Sequence, residues 1–126
     1  VLVGPDQEAF DQTEPVLREK VRFLSREKLG EMTLEEKVSF FEELTAELPT
    51  YLSVDKDVLC PEEVSTTWSQ GEMTLEELCQ FVKILLEKQD ILGMDVCGEC
   101  DPDACEGDHL NDLANRELLE IWGKER

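Results

Sequence analysis

Two aspartates stand two residues apart in the segment Tyr51–Leu59, where an apolar, β-branched run ends at Asp55 and Asp57. Side chains at positions i and i+2 of a strand point to the same face, so both carboxylates would converge at the carboxyl end of a strand. In open parallel sheets that end is where ligands bind. Two like charges held together away from water are costly unless a cation or hydrogen bonds stabilise them. The pair therefore predicts half of a metal site.

Carboxylate oxygens suit hard cations such as manganese, magnesium or calcium. The alternative role is structural, because acidic side chains at a strand end can also cap a helix or pair with a basic residue. Lys56 is adjacent in sequence, although strand alternation would direct it to the opposite face. The pattern favours the metal over this alternative.

A second group of candidate ligands comprises Cys97, Cys100, Cys105 and His109, with the spacing Cys-x2-Cys-x4-Cys-x3-His. This spacing is within reach of a small zinc site, and the pair Cys97 and Cys100 also resembles a redox dithiol. Zinc knuckles sit among basic and aromatic residues, which are missing here, and a thioredoxin-type pair lies at a helix start. We therefore expect ordinary cysteines, with a zinc-stapled loop as the alternative.

The composition limits the classes of partner. Acidic residues outnumber basic ones 31 to 12 and give a formal charge of −19, which argues against nucleic acid because phosphates would be repelled. No apolar run approaches the roughly 18 residues of a membrane helix, so we expect no membrane association. Five cysteines without a secretory signal favour the cytoplasm.

The length of 126 residues fits one domain, and we predict a single domain over residues 1–126. The chain starts at Val1 without an initiator Met or a signal peptide. We interpret this start as a cut end within a longer chain, with a removed Met as the alternative.

Helices and strands alternate from Thr33 onward. The letters Glu-Met-Thr-Leu-Glu-Glu occur at 31–36 and again at 72–77, and each copy spells a capping box before a helical apolar stripe. Strand-like runs at 51–59 and 91–97 separate these helices from a last helix after residue 108. Strands joined through helices pair in parallel. The order predicts an α/β fold, a three-layer α/β/α arrangement with a parallel sheet covered on both faces.

The segment 52–59, Leu-Ser-Val-Asp-Lys-Asp-Val-Leu, resembles the Ser-x-Asp-x-Asp motif of the arginase and agmatinase family, the ureohydrolases. The resemblance continues through Gly71, Met-Thr-Leu-Glu-Glu-Leu at 73–78 and Ile-Leu-Gly-Met-Asp-Val at 91–96. It covers about 70 residues and corresponds to the carboxyl-terminal half of such proteins. The chain departs from the usual family pattern at Cys60, in the loop 62–71 and around Glu99, so substrate specificity does not transfer.

The resemblance implies that Asp55 and Asp57 are ligands of a two-manganese centre and that Glu99 corresponds to the catalytic, substrate-orienting Glu. The implied activity is hydrolysis of carbon–nitrogen bonds in small guanidino- or amide-type molecules, with a cationic substrate as the partner. The family's other ligands come from an upstream His and an Asp-x-His-x-Asp segment, whereas the single His here is His109. This piece therefore cannot complete the binuclear centre.

Two alternatives to a manganese hydrolase stay open at this point. The chain is either a non-catalytic acidic interaction module, with or without a zinc-stapled loop, or a scaffold that has lost its metals. A sheet cut partway also leaves an open edge, whose unpaired backbone groups invite pairing with a second copy. We therefore expect a homo-oligomer formed through that edge.

Overall fold

The computed structural model describes residues 1–45, 48–101, 103 and 108–124. The chain divides into two compact units, Val1–Leu44 and Thr45–Arg126. The single domain over residues 1–126 stays a prediction.

The first unit is built around two short parallel strands, β1 (Leu2–Val3) and β2 (Phe23–Leu24). Asp6 caps the helix that follows β1 by accepting a hydrogen bond from the Ala9 N–H at 2.6 Å. The helices of this unit are α1 (Gln7–Asp11), α2 (Pro15–Arg18), α3 (Arg26–Glu31) and α4 (Leu34–Thr45).

The second unit contains the other parallel pair, β3 (Thr50–Asp55) and β4 (Ile91–Cys97). Between them lie a 3-10 turn (Lys56–Val58) and α5 (Leu75–Lys88), and α6 (Asp108–Lys124) follows β4. Both predicted capping boxes form: Thr74 and Glu77 bond reciprocally at the start of α5, and Thr33 and Glu36 do so at α4. The predicted order of helices and strands and their parallel pairing are confirmed.

The register of β3 against β4 brings the carboxyl ends of the two strands together. Ser53 is opposite Asp95, and Asp55 is opposite Cys97. Both strands therefore deliver acidic residues to the same edge of the sheet.

The core of the second unit lies between this sheet and the helices α5 and α6. Its buried residues are Val54, Leu59, Val64, Leu75, Leu78, Val82, Ala114 and Leu118. On the opposite face of the sheet, Tyr51 is 62% exposed. The expectation that both faces are covered is not met at Tyr51, because strand alternation directs it away from the face of β3 on which Leu52 and Val54 pack against the core. Across the described ranges, no helix combines the length and apolar character needed to cross a membrane.

Two neighbouring leucines on α6 offer a matched test of this packing, because Leu118 is fully buried and Leu119 is 62% exposed. We expect Leu118→Ala to lower the free energy of unfolding by about 2–5 kcal/mol, through lost burial and a residual cavity. Leu119→Ala should change it by less than about 0.5 kcal/mol. Urea unfolding monitored by circular dichroism measures both values, and equal losses would contradict the assignment of this helix face to the core.

Candidate functional site

Asp55 is the last residue of β3, and its side chain closes the turn that follows. Its Oδ1 accepts a hydrogen bond from the backbone N–H of Asp57 at 3.0 Å. Asp57 therefore belongs to the 3-10 turn and not to the strand, and the prediction that strand alternation aligns the two carboxylates is wrong in this respect. The capping tendency of Asp55 ends the strand before alternation can place Asp57. Both residues nevertheless lie at the carboxyl end of β3.

Asp57 carries an acceptor atom that the rest of the described chain leaves unused. Its Oδ1 is buried and has no hydrogen-bond partner among the described residues. Burial raises the pKa of Asp57 above its usual value of 3.8, and the charge of Asp55 acts in the same direction, while the Thr66 hydroxyl and Lys56 lower it. An acceptor held this way is costly unless a cation or a donor reaches it.

The end of β4 lies against the turn that carries these aspartates. Gly98 follows β4 with a φ of 82°, a left-handed conformation that favours glycine. A Cβ at this position would lie 2.5 Å from Asp55 Oδ1 and 2.8 Å from the backbone nitrogen of Lys56. The missing side chain therefore permits this close approach between the two strand ends.

Lys56, between the two aspartates, is fully buried. Its Nζ donates to Glu99 Oε1 at 2.5 Å, and Asn115 Nδ2 on α6 donates to the same oxygen at 3.1 Å. The bond from Lys56 is the main cause that lowers the pKa of Glu99 below its usual value of 4.5. No local pattern indicates this ion pair, because a lone lysine within an acidic segment is normally solvated.

Further polar groups lie at the same strand ends. Ser53 Oγ donates to Asp95 Oδ1 at 2.8 Å across the register pair. Partial burial raises the pKa of the Cys97 thiol, and the negative charges of Asp55, Asp95 and Asp57 raise it further. This edge of the sheet therefore concentrates negative charge.

One buried polar contact joins α6 to the loop after β3. Asn111 is only 3% exposed, and its Nδ2 donates to Ser65 O at 2.8 Å. This bond satisfies a backbone carbonyl of the loop, while Asn111 Oδ1 has no hydrogen-bond partner among the described residues. Trp68, in the same loop, is 73% exposed.

The predicted metal ligands, Asp55 and Asp57, and the predicted substrate contact, Glu99, thus lie at adjoining strand ends. They do not form a complete metal site. Among the described residues, no group of three or more His, Cys, Asp or Glu side chains could hold a metal ion. Cys60, Cys79 and Cys97 are free thiols, and Cys100 is disulfide-bonded. A disulfide sulfur cannot serve as a zinc thiolate. Cys105, the other cysteine of the proposed zinc loop, lies outside the described residues.

Comparisons with known proteins support the fold. The sequence model of the arginase family matches residues 2–122. An uncharacterized protein of Thermotoga maritima is 48% identical over 56 residues, which are 43% of this chain and 21% of that protein.

Solved structures give the same fold at low sequence identity. Proclavaminate amidino hydrolase from Streptomyces clavuligerus has a TM-score of 0.70 at 22% identity, covering 91% of this chain and 41% of that chain. Formimidoylglutamase from Bacillus subtilis has a TM-score of 0.71 at 18% identity, covering 87% and 37%. Arginase from Helicobacter pylori has a TM-score of 0.68 at 22% identity, also covering 87% and 37%. The chain spans about two fifths of the length of these structures and about a fifth of the Thermotoga protein.

The ion pair of Lys56 and Glu99 yields a pH-dependent prediction. Glu99→Gln should lower the free energy of unfolding at pH 7 by about 2 kcal/mol, between the values typical of exposed and of buried pairs, because it leaves the Lys56 ammonium without its counter-ion. Folding lowers the pKa of Glu99 below its usual value of 4.5. The ion pair therefore stabilises the fold fully above pH 4.5, and this stabilisation is lost as the pH falls through the pKa of Glu99 in the folded protein.

Urea unfolding between pH 7 and pH 3 measures this difference. Glu120→Gln is the matched control, since Glu120 forms an exposed pair with Lys124 at 3.4 Å. That control should change stability by less than about 0.5 kcal/mol. A difference between wild type and Glu99→Gln that does not shrink in acid would contradict the ion pair.

Proposed function

This chain belongs to the arginase family, and we propose on that basis that it supplies part of the site of a metal-dependent hydrolase of carbon–nitrogen bonds. The substrates are small guanidino- or amide-type molecules. In this proposal Asp55 and Asp57 bind manganese, and Glu99 contacts the substrate as the catalytic Glu.

The observation that carries the proposal is Asp57 Oδ1, which is buried and has no partner among the described residues. The carboxylate of Asp55 lies beside Asp57. An acceptor without a donor, next to a like charge, suits a cation better than it suits a purely structural role. The metal-binding atoms of both residues are carboxylate oxygens, which fit hard ions such as manganese. The two residues therefore fit the metal that the family resemblance implies.

In this proposal the metal ligands and Glu99 have different roles in the reaction. A bound manganese ion would supply Lewis acidity, lowering the pKa of water close to the scissile bond. Asp55 and Asp57 would hold the ion, and Glu99, kept anionic by Lys56, would orient the substrate. The negative charge of this sheet edge would also raise the local concentration of a cationic substrate.

The coordination in this chain is partial. With no group of three metal-binding side chains among the described residues, further ligands would have to come from residues outside them or from another chain. The activity of a whole protein that contains this chain is therefore part of the proposal, as is a location in the cytoplasm.

A metal-free scaffold or an acidic interaction module is the second candidate function. The lack of a third ligand in the described residues favours it, as does the formal charge of −19. The disulfide at Cys100 argues against the version of this module with a zinc-stapled loop.

Asp57→Asn tests the metal proposal directly. Without metal at pH 7, the substitution should raise the free energy of unfolding by about 1 kcal/mol, because it removes a half-buried charge that lies beside Asp55. This gain should vanish in acid, since the pKa of Asp57 is raised on folding and its protonated form is the favoured one. Manganese at about ten times its Kd should stabilise the wild type by about 1.4 kcal/mol and leave Asp57→Asn unchanged.

Asp112→Asn on α6 is the matched control, because Asp112 is exposed and is not one of the proposed metal ligands. It should keep the full response to manganese. Urea unfolding with and without manganese measures all three proteins. Equal stabilisation of wild type and Asp57→Asn would contradict the metal proposal and favour the scaffold.

The open edges of the β3 and β4 sheet lead to a prediction about assembly. In the described residues these strands form a two-stranded sheet, so each has one edge without a neighbouring strand. We expect the chain to associate with a second copy by pairing at such an edge. Sedimentation velocity over a range of concentrations should show a dimer, and a monodisperse monomer throughout would refute this.

A further inference from the structure

We propose that Lys56 is a positioning residue that sets the substrate class of this site. It holds one oxygen of Glu99 so that the carboxylate offers the substrate a single acceptor, Oε2. The site would then prefer a substrate group that can bind the carboxylate through one N–H, such as a primary amide, over a guanidinium, which binds most strongly to both oxygens. This inference rests on the proposed function, because it takes Glu99 as the substrate contact.

The hydrogen bonds of Glu99 show why one oxygen is occupied. Oε1 accepts from Lys56 Nζ at 2.5 Å and from Asn115 Nδ2 at 3.1 Å. A carboxylate oxygen has two lone pairs, so these donors fill its normal capacity. No described residue donates to Oε2, and the Glu99 side chain as a whole is 57% exposed.

Guanidinium groups bind carboxylates most strongly through two parallel N–H bonds, one to each oxygen. At Glu99 that arrangement would require displacement of Lys56 or Asn115 from Oε1. Lys56 is fully buried and would then lose its counter-ion, which makes the displacement costly. An amide N–H needs only Oε2 and leaves the ion pair intact.

The charge of the pair points in the same direction. The ammonium of Lys56 offsets the carboxylate charge of Glu99, so this contact attracts a cation less than an isolated carboxylate would. A neutral amide does not depend on that attraction. Geometry and charge therefore favour the amide-type substrates within the proposed class.

A merely structural role for Lys56 makes a different prediction. Replacing a buried ion-pair member with an apolar residue of similar volume can alter stability, but it gives no reason for a change in ligand preference. The experiment must therefore measure the relative affinity for two probes, in addition to the stability of the fold.

The experiment titrates the ¹⁵N-labelled 126-residue chain with propylguanidinium and, separately, with propionamide, following the backbone amides of Gly98 and Glu99 by NMR. The wild type should bind propionamide at least as tightly as propylguanidinium. Lys56→Met leaves Asn115 as the one remaining described donor to Oε1 and so frees one lone pair of that oxygen, and the affinity for propylguanidinium relative to propionamide should therefore rise about tenfold. Lys56→Arg restores a donor and should return the ratio toward that of the wild type.

Lys83→Met is the matched control, because Lys83 is an exposed lysine on α5 that pairs with Glu87 at 4.0 Å. It removes the same charge and should leave the ratio unchanged. If Lys56→Met does not fold, Asn115→Leu removes the other donor to Oε1 and should raise the relative affinity for propylguanidinium in the same direction.

An unchanged ratio in a folded Lys56→Met overturns the inference, and so does the absence of shifts at Glu99 with both probes. The titrations are made without metal and repeated with manganese. The metal-free result tests the role of Lys56 even if manganese does not bind. A failure of the metal proposal shows separately, as a manganese response that Asp57→Asn does not remove.

Discussion

The parallel pairing of β3 with β4 is the constraint on which the rest of the candidate site depends. Because α5 carries the chain from one strand to the next, both strands end at the same edge and place Asp55 opposite Cys97. Gly98 then lets the end of β4 approach the turn after β3 more closely than any side chain would allow. Glu99, the next residue, reaches the buried ammonium of Lys56 from this position.

A buried acidic group at this edge of the sheet lowers the stability of the fold, which is consistent with a functional site. Asp57 keeps a buried acceptor without a partner among the described residues, beside a second carboxylate. The other two acidic side chains at this edge accept hydrogen bonds: Asp95 from Ser53, and Glu99 from Lys56 and Asn115, although Asn115 Oδ1 is itself buried without a partner among the described residues. Burying a carboxylate oxygen without a partner is costly, and this cost supports the proposal that a cation binds at Asp57 Oδ1.

Much of the fold could be predicted because its signals are local. The capping boxes at Thr33 and Thr74 fix helix starts through side-chain to backbone bonds that the letters spell out, and apolar runs mark β3 and β4. The turn at Asp57 could not be predicted from alternation, because Asp55 bonds to the backbone there and ends the strand. The burial of Lys56 and Asn111 depends on partners 43 and 46 residues away in sequence, which no local pattern contains.

We propose that Asp55 and Asp57 together hold a divalent ion at the carboxyl end of β3. Anomalous diffraction at the manganese edge, from crystals of the chain grown with manganese, locates that ion without any assumption about activity. We expect an anomalous peak at about 2.2 Å from Asp57 Oδ1 and from an Asp55 carboxylate oxygen, which is a coordination distance. Manganese found only at other acidic side chains, with Asp57 Oδ1 still unpartnered, would contradict it.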